Sequence, residues 1–135
     1  LPYESYEACA LALDDKRLGK QRLEARQLLD TLMGKSLGWT NHPATKMWRG
    51  HEWWLAEYGI AMCRQWMARG FLDTMLADFE SAQRALPKGE EPKFTEALRA
   101  SMRANLVRKD AKRYRDFLGF TEDPKDGYAW PTTTD

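Results

Sequence analysis

A carboxylate and an amine are the chemical tools this sequence offers. Over residues 14–32, DDKRLGKQRLEARQLLDTL, set 100° apart, Leu18, Ala25, Leu28, Leu29 and Leu32 fall on one stripe. The spacing predicts an amphipathic helix with that face inward. Gln21 and Arg22 lie on or beside the stripe, Arg17 and Glu24 run along one edge with Gln21, and Arg26 borders the other edge. Soluble helices normally keep charge away from such a seam. A partly desolvated carboxylate there is a candidate for acid–base chemistry, because perturbed ionisation clusters at functional sites. The alternative is an ordinary charged helix held by i,i+4 pairs.

A later stretch repeats the pattern. Leu98, Met102, Asn105, Leu106 and Lys109 recur at helical spacing, which puts Asn105 and Lys109 on an apolar stripe. Lys109 either snorkels outward along its stem or serves a site. His42 and His51 are the only histidines. With no Cys or Asp at ligand spacing they make a poor metal site, since structural zinc takes four ligands. No Gly-rich phosphate loop, serine elbow or HExxH occurs.

The elements that must position these groups are helical. Ser5 caps a predicted helix over 6–13, and of the two candidate caps for the organising helix, Asp14 and Asp15, Asp15 is preferred. Gly19 inside it predicts close approach of a backbone or ligand, and Gly34 a stop. Residues 35–43 form a loop, with Thr40 or Asn41 capping a short helix over 44–50. Helices follow over 51–69, with Leu55, Tyr58, Met62 and Trp66 recurring, and over 71–86, with Leu72, Met75, Leu76, Phe79 and Ala82 inward. The last runs from 94 to about 109 and a turn or two on to 118. Tyr128 and Trp130 of the tail should dock on the body, and 132–135 should be disordered. The expected fold is all-α: a compact single domain over 1–131, of five or six helices, with an irregular C-terminal tail.

The 135 residues suffice for one core, and six tryptophans can anchor it. The net charge of +1 is unevenly spread: residues 99–115 hold seven cations and one acid, while 71–91 hold five acids and two bases. The basic run is either a phosphate-facing surface or a solvated helix. Cys9 and Cys63, the only cysteines, lie in apolar patterns and suit a reducing compartment. With no long apolar run and no signal peptide visible, a cytoplasmic location is expected. Leu1 opens the chain without Met, which points to processing or to residues upstream.

The chain resembles the pyrimidine-dimer DNA glycosylases of the endonuclease V type, and among them a branch found in actinobacteria and their phages. LDDKRLGKQRLEARQLL (13–29), NHPATKMWRGHEWWLAEYG (41–59), CRQWMARGF (63–71), SMRANLVRKD (101–110) and YAWP (128–131) carry the likeness. It implies an all-α enzyme that binds lesion-containing or modified duplex DNA and flips out a nucleotide, at a cost of roughly a few kcal/mol. In the family, the amine of a mature N-terminal Thr attacks the sugar C1′ and displaces the base. The resulting Schiff base eliminates and nicks the strand. A glutamate on the first long helix assists, and Glu24 matches its position. By the same resemblance Arg22 and Arg26 would contact phosphate or sugar, and Arg17 stands in place of a family histidine. His51 matches a histidine, and Lys109 matches a DNA-facing lysine. Asn105 stands where the better-known phage enzyme has an arginine, and Arg108 and Lys20 add charge.

Nothing before Pro2 matches the family's Thr, so the nucleophile is open between an amine at or ahead of Leu1 and the side chains of Lys20 or Lys109. The expectation is a monomeric glycosylase with AP lyase activity and no metal or organic cofactor. Two alternatives stand beside it. One is a DNA-binding protein on the same scaffold without chemistry. The other is a phage or host protein-interaction module with Trp39, Trp48, Trp53 and Trp130 in one exposed patch.

Overall fold

A computed structural model describes residues 1–130. Six α-helices follow in the order α1 (Tyr6–Ala12), α2 (Asp15–Leu32), α3 (Pro43–Trp48), α4 (Glu52–Ala68), α5 (Leu76–Ala85) and α6 (Glu96–Lys109), then a π-helical segment, Lys112–Phe117. No strand occurs among the described residues, so the architecture is the all-α bundle that the periodicities predict. The disorder expected of 132–135 lies outside the described residues.

α4 is the central rod. From Leu55 to Cys63 it is buried almost all round, as a helix in the middle of a core must be. α1, α2 and α5 pack against it. α2 turns Leu18, Ala25, Leu28 and Leu29 into that contact, the face its wheel selects. Gly19 makes the approach possible: a Cβ there would lie 3.1 Å from the Trp66 indole. Both cysteines are buried and unbridged.

α1 is capped at both ends by side chains. Ser5 accepts from the Ala8 N–H at 3.1 Å. The carbonyls left without partners at its far end are met by two guanidiniums. Arg69 donates to Ala10, Leu11 and Leu13, and Arg113 donates to Ala12 and Leu13.

Three local expectations are corrected. Asp14, not Asp15, caps α2, and its carboxylate is occupied by the Tyr114 hydroxyl and Arg17 instead of the helix's own N–H groups. Asp15 lies inside the first turn and pairs with Arg69. α3 is capped by His42, whose Nδ1 accepts from the Ala44 N–H at 3.0 Å, whereas Thr40 donates back to Leu37 within the loop. α5 starts at Leu76 instead of 71. The Asp73 carboxylate accepts from the Met75 and Leu76 N–H groups, a local bond that competes with helix upstream of it. Leu72, expected inward, is 92% exposed as a result.

Gly59 of α4 faces the Phe79 ring of α5 with no room for a Cβ, and Phe79 is fully buried. Gly59→Ala is therefore expected to lower the unfolding free energy by about 1–3 kcal/mol through overpacking. Urea melts should show a lower midpoint at unchanged slope. Adding Phe79→Leu should make the combined loss smaller than the sum of the two single losses.

Candidate active site

Arg17, Lys20, Gln21 and Glu24 stand at i, i+3, i+4 and i+7 of α2, so helical geometry alone brings them to one wall. They line a cleft of about 350 Å³. Met102, Asn105 and Lys109 of α6 also line it, with Tyr58 of α4, and His42, Tyr128 and Trp130 complete the lining. The chain start, Leu1 and Pro2, belongs to the same lining.

Glu24 is held by a relay of hydrogen bonds. The Tyr58 hydroxyl donates to Gln21 Oε1 at 2.8 Å, and Gln21 Nε2 donates to Glu24 Oε2 at 3.0 Å. Burial, then the Cys9 and Glu24 charges, push the Tyr58 phenol well above its ordinary value, so it remains a donor. Lys109 is drawn below the usual lysine range by partial burial and then by the neighbouring Arg17 and Lys20, with Glu24 opposing. Arg17, Lys20, Lys109 and Glu24 thus share one local field.

The chain start is pinned in place. Arg103 donates to the Pro2 carbonyl at 2.8 Å, and the Tyr3 backbone exchanges hydrogen bonds with the Cys9 thiol. The Leu1 nitrogen lies against the Met102 sulfur. An α-amine at this position is pushed down to about 6 by burial, with Arg99 adding and with Cys9 and Glu24 opposing. Such an amine is mostly neutral at pH 7 and above.

A model of the pyrimidine dimer DNA glycosylase family matches residues 1–78. The chain belongs to that family. No curated protein and no solved structure matches it. Membership makes this a DNA-binding protein of glycosylase-type repair. The matched span contains the α2 wall, Tyr58, His42 and the chain start, whereas Asn105, Lys109, Tyr128 and Trp130 lie beyond it.

The structure brings Glu24, Arg17, Lys20, Asn105 and Lys109 together at the cleft. It places the other four sequence-selected residues elsewhere. Arg22 pairs with Asp73 at 2.6 Å and lies over the Trp66 ring at 4.8 Å. Arg26 pairs with Asp30 and Asp78. His51 Nδ1 meets the Glu90 carbonyl at 2.7 Å. Arg108 donates to the Pro124 carbonyl and to Asn105 Oδ1, fastening the tail.

Tyr58, His42, Tyr128 and Trp130 join the cleft although the spacing of polar residues in the sequence does not single them out. Gln21 was within sight, three residues before Glu24 on the same edge. His42 packs between Trp39 and Trp130, with ring centroids at 4.9 and 6.0 Å. The four tryptophans of the interaction-module alternative make no single patch. Trp48 is buried in the core, Trp130 lines the cleft, and Trp53 packs on Trp54 and Lys88. No helix among the described residues is long and apolar enough to cross a membrane.

The Arg22–Asp73 pair is a structural bond. Burial pushes the Asp73 carboxyl up, but the Leu76 N–H, Arg22 and Cys63 outweigh it and hold the group below the usual carboxylate range. Its stabilisation is therefore present above about pH 4, the unfolded value, and is lost as pH falls through the depressed folded value. Arg22→Ala is expected to lower the unfolding free energy at pH 7 by about 3 kcal/mol. The gap to the parent should shrink below about pH 4 in urea melts, while anisotropy titrations show unchanged duplex affinity.

Proposed function

We propose that the cleft excises a damaged base from duplex DNA by amine attack on the sugar C1′, with Glu24 as the catalytic carboxylate, and then nicks the strand. One observation supports this reading above the rest: in a chain of this family, Glu24, three cations and the chain start converge on a single cleft. A neutral amine adds its lone pair to C1′ as the glycosidic bond breaks, and the base leaves with the bonding electrons. Glu24 stabilises the cationic character at C1′ and moves protons between amine and sugar. The C1′–O4′ bond of the resulting aminal then breaks as O4′ takes a proton, which gives the imine, and loss of a C2′ proton from the imine expels the 3′ phosphate.

The chain start is the first source of the amine. Leu1 lines the same cleft as Glu24, so an amine at Leu1 or carried just ahead of it is a candidate for the attack. Lys109, its ammonium weakened by burial and by Arg17 and Lys20, is the second source. Arg17, Lys20 and Lys109 hold the flanking phosphates, and Asn105 supplies a neutral contact. His42, Tyr128 and Trp130 offer faces on which an unstacked base can lie.

Borohydride trapping on duplexes carrying an abasic site or a cyclobutane dimer, followed by peptide mapping, should place the adduct at the chain start. Glu24→Gln should bind duplex normally and lose at least about 10²-fold in strand cleavage. Full cleavage by that variant, or no adduct with either lesion, would leave a DNA-binding protein without this chemistry. Three phosphate contacts predict a slope of about −3 for log affinity against log salt, and each of Arg17→Ala, Lys20→Ala and Lys109→Ala should reduce it by about 1.

A further inference from the structure

Glu24 shares a cleft with Arg17, Lys20 and Lys109 and, among the described residues, pairs with none of them. Lys20 stands one turn before it on α2, the usual place for an i,i+4 ion pair, and Arg17 lies along the same edge. Lys109 faces it from α6. Yet among the described residues Glu24 forms no salt bridge; its partner is the neutral amide of Gln21. Arg17 is taken up by Asp14 at 3.3 Å, but Lys20 and Lys109 form no salt bridge among the described residues, and a glutamate side chain, turning about three bonds, is free to seek such cations unless something holds it.

The amide cannot be reversed. A carboxylate only accepts, so Gln21 must turn Nε2 toward it, which leaves Oε1 to accept from Tyr58. Tyr58 is buried in the α4 core and has little freedom to leave. The direction of donation is therefore set from α4 outward, Tyr58 to Gln21 to Glu24. The relay ends on Oε2, and among the described residues no hydrogen bond occupies Oε1 of this cleft-lining side chain.

We infer that Gln21 and Tyr58 are positioning residues, a neutral hydrogen-bond relay that keeps the Glu24 carboxylate unpaired and aimed into the cleft. The inference rests on the assignment of Glu24 as the catalytic carboxylate. It goes beyond that assignment by naming what keeps the group from being neutralised by Lys20, Arg17 or Lys109. A neutral amide suits the task because it orients a charge without cancelling it.

The test is single-turnover cleavage of an abasic-site duplex, with duplex affinity measured separately and folding checked by thermal melts. Gln21→Leu should lose between about tenfold and about 10²-fold in rate at unchanged affinity, the scale expected when a catalytic group is misplaced. Tyr58→Phe should lose less, in the same direction. Gln21→Glu puts two carboxyls at hydrogen-bond distance, so near neutral pH their repulsion should displace Glu24. As pH falls toward about 5, a shared proton restores a donor. The Gln21→Glu rate relative to the parent should therefore rise with acid, while the Gln21→Leu ratio stays flat. The other groups around Glu24, namely Arg17, Lys20, Lys109, Tyr128 and any amine at Leu1, are present in every chain, and Gln21→Leu, which adds no charge, is the control for their titration.

A purely structural tie between α2 and α4 would not produce the acid recovery. Parent-like rates for both Gln21→Leu and Tyr58→Phe, losses confined to affinity, or a flat Gln21→Glu ratio would each overturn the relay while Glu24→Gln remained inactive. Normal cleavage by Glu24→Gln would overturn the assignment of Glu24 and the relay together.

Discussion

When α2 packs on α4, Leu18, Ala25, Leu28 and Leu29 enter the core. Each residue advances 100° around a helix, so Arg17, Lys20, Gln21 and Glu24 then have to lie along the adjacent edge. The seating is tight. Gly19 admits the Trp66 ring, and Trp66 in turn carries the Arg22 guanidinium on its face. A Cβ at 19 would have to push the Trp66 ring back by a few tenths of an ångström. The packing that makes the core and the geometry that aims the carboxylate are thus one arrangement, and the first cannot loosen without disturbing the second.

The cations divide by chemistry. The run over 99–115 reads as a basic surface, but its arginines are largely turned to backbone carbonyls. Arg99 bonds Phe94, Arg103 bonds Pro2, Arg108 bonds Pro124, Arg113 bonds Ala12 and Leu13, and Arg115 bonds Glu122. A planar guanidinium with five donors can close several carbonyls at once, which suits it to fastening loops and chain ends. Lys20 and Lys109 are left at the cleft as mobile point charges, with Arg17 beside them. With a net charge of only +1, attraction for a phosphate backbone has to come from this local field.

What the sequence revealed was whatever depends on neighbours along the chain. The face of α2, the edge that carries Glu24 and the α6 stripe with Asn105 and Lys109 follow from spacing within one helix, and the structure keeps them. The family resemblance carried over a glutamate position, and the family match over 1–78 includes it. What the sequence hid was decided by partners far along the chain. The wheel sets Arg22 and Arg26 on the side of α2 away from Arg17 and Glu24, but it does not show what they meet: Asp73 and Asp78, 51 and 52 residues away, pair with them on the α5 side. Tyr58 finds Gln21 across 37 residues, and no periodicity signals that bond. Short-range chemistry accounted for the local misplacements. The Asp73 carboxylate took the N–H groups that would have extended α5 upstream, and the His42 ring did the capping expected of Thr40 or Asn41.

α6 lies outside the matched span, yet the cleft depends on it. Arg103 holds the chain start, Ser101 accepts from the Ala129 N–H at 3.0 Å to hold the tail, and Arg108 anchors the segment between. One helix thus brings the Leu1 end, the Tyr128–Trp130 aromatics and Lys109 to face the α2 edge. Without that wall Glu24 would look into bulk water, where charges a few ångströms apart interact by only about 1 kcal/mol. On the proposed reading, the same carboxylate enclosed between α2 and α6 would act across a lower dielectric on charge that develops at the sugar, with less solvent to rearrange. The matched segment therefore holds Glu24 and Leu1, and the residues after it close the wall that faces them.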